Sequence, residues 1–147
     1  MTITIRRITE QDIPYLQDIL VKRWEVSPAE AFEYAIRYTT NHPQATGFVA
    51  TLDEKQVGIC LFDHNNKDVD DTRHPWISGL WVEPSQRGKE LGQALMQACI
   101  TEAKGQGFPT IYLDTTDAEK YHEKFGWETI GTANYQGEET TIMQLIP

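Results

Sequence analysis

The segment Leu80-Trp81-Val82-Glu83-Pro84-Ser85-Gln86-Arg87-Gly88-Lys89-Glu90-Leu91-Gly92, continued by Gln93-Ala94-Leu95-Met96-Gln97-Ala98-Cys99, constrains the fold more than any other stretch. An apolar, strand-like run ends at a proline. A short polar loop with Gly88 follows, and an apolar helical repeat starts directly after it. A strand that feeds a helix through so short a loop belongs to an α/β architecture. Amides of such a loop converge near the positive end of the helix dipole. The segment therefore predicts an anion site suited to a phosphate or pyrophosphate.

Phosphate loops differ in their glycines. A nucleotide-triphosphate loop needs Gly-Lys-Ser/Thr preceded by an earlier glycine, but Gly88-Lys89 is followed by Glu90 and the earlier position is Glu83. A dinucleotide fingerprint needs G-x-G-x-x-G in the first strand–helix turn, and only Gly88 and Gly92 occur here, in the second half of the chain. The pattern R/Q-x-x-G-x-G/A fits better: Arg87 and Gly92 match it, and Glu90 stands where its first glycine is usual.

At these residues the chain resembles the GNAT superfamily of acetyl-CoA-dependent N-acetyltransferases. A second signature lies downstream, in Ala118-Glu119-Lys120-Tyr121-His122-Glu123-Lys124-Phe125-Gly126-Trp127. It is similar to the family's Asn-x-x-Ala-x-x-Φ-Tyr-x-x-x-Gly-Phe, where Φ is apolar. Ala118, Tyr121 and Gly126 match, and Trp127 replaces the final aromatic. His122 stands where the tyrosine is usual and Thr115 where the asparagine is usual.

Composition agrees with one globular domain, Met1–Pro147. The chain has 147 residues, 39% of them hydrophobic, enough for a single sizeable core. No apolar run approaches the roughly 20 residues of a membrane span. The N-terminus reads as a strand and not as a signal peptide. Cys60 and Cys99 sit singly in apolar runs, which predicts buried, reduced thiols and a cytoplasmic location. No metal is expected. The formal charge of −9 argues against nucleic acid as the main partner and suits a cationic acceptor such as an amine. A monomer or a homodimer is compatible with the sequence.

The periodicities predict the order βααβββαβαββ. Thr2 to Arg6 alternates as a strand. Thr9 to Asp12 resembles a capping box ahead of a first helix with Ile13, Leu16, Ile19 and Leu20 on one face. Ser27-Pro28-Ala29-Glu30 starts a second helix that runs to about Thr40. Gly47 to Leu52 and Gln56 to Phe62 form a hairpin. Asp63 to His74 is a loop, and Trp76 to Val82 is the strand before the phosphate loop. The next helix carries Leu91, Leu95 and Cys99 on one face and stops at Gly105-Gln106-Gly107. A strand Thr110 to Leu113 follows. A short helix then has Ala118, Tyr121 and Phe125 on its core side. Two strands, Glu128 to Thr132 and Thr140 to Leu145, turn at Gly137. This order is that of the GNAT fold, an α/β (α+β) fold with a mixed sheet of about seven strands and four helices.

The resemblance implies a function: acetyl transfer from acetyl-CoA to a primary amine, of a small molecule or a peptide, by direct attack in a ternary complex. It gives the backbone of Leu80, Trp81 and Val82 to the pantetheine arm of acetyl-CoA. Arg87, Gly88, Lys89, Glu90, Leu91 and Gly92 go to its pyrophosphate, and Thr115 to the cofactor as well. His122, with Tyr121 as the alternative, becomes the acid that protonates the leaving thiolate. For the amine's proton the family often uses a glutamate on the central strand or a water chained to it. This chain offers Ser78 within the strand, which can bind a relay water but is no base, His74 before it and Glu83 after it. The other route is an amine that arrives deprotonated from solvent. Trp24, Tyr34, Tyr38 and Trp76 are candidates for the acceptor site, each also readable as core, and Glu25 and Glu30 are candidate partners of an ammonium group. The alternative is a non-catalytic acyl-CoA-binding or regulatory module of the same fold.

Overall fold

The computed structural model describes residues 2–147. Met1, the first residue of the expected domain, lies outside them. The elements are β1 (Ile3–Arg7), α1 (Ile13–Trp24), α2 (Pro28–Thr39), β2 (Ala45–Leu52), β3 (Lys55–Asp63), β4 (Trp76–Val82), α3 (Leu91–Gly105), β5 (Ile111–Thr115), α4 (Glu119–Glu123), β6 (Glu128–Tyr135) and β7 (Glu138–Leu145). Short 3-10 turns at Glu10–Asp12 and Pro84–Gln86 precede α1 and α3. The order is the expected βααβββαβαββ. The seven strands are hydrogen-bonded in the order β1-β2-β3-β4-β5-β7-β6. The fold is mixed α/β.

Chain packing falls into two compact units, Met1–Phe62 with Gly79–Cys99, and Asp63–Ser78 with Ile100–Pro147. In the first unit β1 runs antiparallel to β2, with Ile5 opposite Ala50. Leu16, Ile19 and Leu20 of α1 and Ala31, Ala35 and Tyr38 of α2 pack with Val49, Ile59 and Leu61 into one apolar cluster. The helix starts follow from their sequence signals. The Thr9 amide donates to Asp12 Oδ2 at 2.9 Å, and Arg6 pairs with the same carboxylate at 2.8 Å. Ser27 caps α2 by accepting from the Glu30 amide at 3.3 Å, with Pro28 at the first helical position. Leu91, Leu95 and Cys99 of α3 are all buried, as their spacing predicts. Both cysteines are buried free thiols.

In the second unit β4 pairs in parallel with β5 at Trp76 and Tyr112, and β7 lies antiparallel between β5 and β6. Its core holds Trp76, Ile111, Leu113, Trp127, Ile142 and Met143. The hairpin turn centres on Gly137, whose φ of +83° glycine adopts at little cost.

One expectation is reversed in α4. Spacing placed Tyr121 and Phe125 on the core side, but they are 40% and 46% exposed, while His122 is 8% exposed. The helix spans only Glu119–Glu123, and its exit is what fixes its facing. The amides of Phe125 and Trp127 both bond to the His122 carbonyl, and buried Trp127 lies edge-on to the His122 ring at 6.2 Å. A tight turn around residue 122 thus overrides the helical period.

Candidate functional site

The loop between β4 and α3 lies wholly in the first unit. Its entry is anchored twice. The Glu83 amide donates to the Val57 carbonyl at 2.8 Å, and the Tyr15 hydroxyl donates to Glu83 Oε1 at 2.8 Å. Burial, and then the Glu83 carboxylate, push the Tyr15 phenol well above its ordinary range, so it stays a donor. β4 approaches β3 closely at Gly58, where a Cβ would stand 2.9 Å from the Trp81 carbonyl oxygen. The sequence reading overlooked Tyr15 and Gly58. A lone glycine inside a strand pattern signals close backbone approach; no sequence signal marks Tyr15.

Beyond Pro84–Gln86 the backbone turns through Gly88 at φ +82° and Glu90 at φ +62°. Both are left-handed, the region glycine favours. Glu90 therefore occupies a glycine-type position in conformation as well as in motif. Its carbonyl accepts the first helical bond of α3, from Ala94 at 3.1 Å. The amides of Leu91 and Gly92 precede that bond, and a helix leaves its first amides to partners outside the ladder. Left-handed residues alternating with Lys89 ahead of a helix start are the kind of backbone that can turn amides toward one side. Arg87 and Lys89 are exposed beside it. The Arg87 Nε donates to the Val82 carbonyl at 3.0 Å, and its guanidinium lies over the Trp81 ring. Lys89 Nζ donates to Gln86 Oε1 at 2.8 Å. Leu80, Trp81 and Val82 are half-buried at the end of β4.

The second unit holds the remaining candidates. His122 Nδ1 is, among the described residues, the buried side-chain polar atom that lacks a hydrogen-bond partner. Burial lowers the His122 pKa below 6.5, and nearby Glu119 opposes this only in part. The imidazole is thus predominantly neutral at pH 7. The exposed Tyr121 ring lies tilted against the exposed Phe125 ring, with centroids 5.4 Å apart. Thr115 Oγ1 accepts from the Ala118 amide at 3.0 Å and so shapes the turn into α4. Ser78 is exposed on β4, and His74 Nδ1 lies 2.6 Å from the His64 carbonyl. Of the acceptor candidates, Trp76 and Tyr38 are core, whereas Trp24 and Tyr34 are 41% and 45% exposed. Glu30 is engaged in the Ser27 cap. Among the described residues no group of three or more His, Cys, Asp or Glu is arranged to hold a metal ion.

The strand, loop and helix stand in the order that sequence comparison assigns to a class, the acetyltransferases. The model of the acetyltransferase (GNAT) family matches residues 13–127, and the chain belongs to that family. No curated protein is similar to it in sequence. Solved structures are similar in fold. An aminoglycoside 6′-N-acetyltransferase complexed with coenzyme A is 18% identical, with 97% of this chain and 96% of that one covered and a TM-score of 0.78. The ribosomal-protein-S18-alanine N-acetyltransferase of Escherichia coli is 18% identical, covering 99% and 94%, with a TM-score of 0.75. The PaiA N-acetyltransferase of Thermoplasma acidophilum, in complex with coenzyme A, is 15% identical over 100% of both chains, with a TM-score of 0.70.

Proposed function

We propose that the protein is an N-acetyltransferase that moves an acetyl group from acetyl-CoA to a primary amine. The observation that carries this is the loop conformation: Gly88 and Glu90 are both left-handed, and Glu90 opens α3. Such a row of amides fits a pyrophosphate, because backbone N–H groups and the helix dipole act together there. The family match through residues 13–127 runs across both units and supports reading them as one domain.

Acetyl-CoA, when bound, supplies an activated thioester carbonyl for the amine to attack. The amides of Arg87 to Gly92 bind its pyrophosphate, and the Lys89 ammonium adds charge next to them. Backbone groups of Leu80, Trp81 and Val82 take the pantetheine arm, and the turn set by Thr115 contributes further. Tyr15 and Gly58 position the loop by fixing Glu83 and β4. An amine must arrive neutral. Ser78, through water, is the proposed relay for its proton, and orientation supplies much of the remaining rate.

The thiolate needs a proton, and two residues compete for that role. His122 presents the orphaned Nδ1, which favours a hydrogen bond to a bound group. Its lowered pKa disfavours the imidazolium, so near pH 7 the neutral ring would give the thiolate a hydrogen bond, and the proton itself would come from the minor imidazolium form or from water. Tyr121 is the alternative, with an accessible phenol. The non-catalytic reading stays attached to Glu90: a carboxylate in the loop weakens binding if it turns toward the pyrophosphate.

The experiment is a thermal-shift series with acetyl-CoA and coenzyme A, followed by an amine screen with thiol release. A ligand at a hundredfold excess over its Kd stabilises the native state by about 2.7 kcal/mol. Gly92→Asp should abolish the shift. No shift at millimolar acetyl-CoA sinks the transferase reading; a shift without turnover of any amine favours the binding module.

A further inference from the structure

Trp81 carries two guanidiniums. The Cζ of Arg23, in the last turn of α1, lies over its ring at 4.0 Å from the centroid, and the Cζ of Arg87 at 4.6 Å. Each is attracted to the ring, but the two like charges repel one another. Both arginines are exposed. Among the described residues neither forms an ion pair, although the chain has 22 Asp and Glu against 13 Lys and Arg. Arg23 has no hydrogen bond there either, and Arg87 uses only its Nε, on Val82. Two uncompensated cations brought to one aromatic ring form a place where an anion relieves repulsion and receives charged hydrogen bonds.

The face of the sheet indicates which anion. Trp81 packs on the α1–α2 apolar cluster, to which Ile59 also belongs. Gly58, next to Ile59 and so on the opposite face, would bring a Cβ to 3.2 Å from Leu95 of α3. The arginine pair therefore lies on the α1–α2 face, and α3, whose start is assigned to the pyrophosphate, packs on the other. Gly79 shares the Trp81 face, and the space over it is filled by Leu61 and the Trp24 ring: a Cβ would come to 3.3 Å from Leu61 Cδ1 and 3.6 Å from Trp24.

The geometry points to an acid-reading site in which Arg23 and Arg87, both held on Trp81, bind a carboxylate carried by the acceptor. The substrate class is then a small amine that also bears a carboxylate, as an amino acid does. This rests on the transferase reading for the identity of the acceptor. It also accommodates the charge of −9, since a zwitterion is not repelled at long range as a free anion is.

The test compares amino acids with their carboxamides, which differ in that one charge. In the wild type, kcat/KM for the acid should exceed that for the amide by about 10- to 100-fold, the range for charged hydrogen bonds. Arg23→Ala should collapse that ratio toward unity, Arg23→Lys should retain part of it, and the KM for acetyl-CoA should hold. Calorimetric binding of N-acetyl amino acids against their amides reads the same selectivity without turnover. No acid preference in either readout, or a preference that Arg23→Ala leaves intact, overturns the proposal. A raised KM for acetyl-CoA in place of the acceptor effect assigns the pair to the donor's phosphates and overturns it too. Selective binding of the acids without turnover of any amine keeps the acid site and removes the transferase reading. Equal turnover of acids and amides does the reverse.

Discussion

Glu90 is where motif and conformation disagree in residue type yet agree in geometry. Its φ of +62° places a non-glycine side chain in a region that costs roughly 1 kcal/mol or more. Glu90→Gly removes that strain, and part of the gain is offset by the greater freedom of glycine in the unfolded chain. The expected result is a melting temperature unchanged or slightly raised, by no more than about 1 kcal/mol in stability. Acetyl-CoA affinity should rise, because a carboxylate leaves the neighbourhood of the pyrophosphate. Severe loss of binding in the calorimeter would mean that the Glu90 side chain itself holds the ligand. His122 gives a second test at this scale. Its folded pKa lies below the ordinary 6.5, chiefly through burial. The unfolded chain therefore binds its proton more readily than the native one. Stability from this group is fully present above about pH 6.5 and is lost as pH falls below it. Melting curves between pH 8 and pH 5 should decline toward acid, and the decline should be shallower in His122→Gln. Parallel curves for the two proteins would deny that His122 titrates on unfolding.

At the scale of elements, the glycine of β3 lets that strand approach β4 closely just before the loop. Gly58→Ala puts a Cβ 2.9 Å from the Trp81 carbonyl, a backbone atom that cannot move aside cheaply. The substitution should cost about 1–3 kcal/mol in denaturant unfolding, the usual penalty of overpacking. Acetyl-CoA binding should weaken with it, since Glu83 and the loop entry hang from the same strand pair through Val57. A variant with native stability and affinity would show that β3 and β4 yield there. The contrast with α4 explains what the sequence could reveal. The capped, amphipathic helices α1, α2 and α3 carry strong local signals, and Leu91, Leu95 and Cys99 are buried as their spacing requires. The five residues of α4 hold too little periodicity, and a turn bonded to the His122 carbonyl set which side faced inward. The loop was legible because its amides and glycines are local. Tyr15 and Arg23 were not, because each reaches a residue far along the chain, Glu83 and Trp81, through contacts that no short pattern encodes.

At the scale of the whole molecule, charge separates two ways of holding an anionic donor. Thirteen Lys and Arg against 22 Asp and Glu leave −9, so the long-range field repels a molecule as negative as acetyl-CoA. Short-range attraction must come from the amides at the start of α3 and from Lys89. Salt acts differently on these two parts. The Debye length is about 30 Å at 0.01 M and about 8 Å at 0.15 M, so added salt removes the distant repulsion first. Contacts to fixed amides at close quarters are screened far less. The association rate of acetyl-CoA should therefore rise several-fold between 10 and 150 mM salt in stopped-flow measurements, and the dissociation rate should change little. A donor site that relied on a broad basic surface would give the opposite slope, with association slowing as salt is added. Lys89→Ala sharpens the distinction. If the amides dominate, it should lower affinity by less than about tenfold, in keeping with one exposed charge, and leave the upward salt slope in place. A downward slope in the wild type would shift the weight of donor binding from the loop backbone to its cationic side chains.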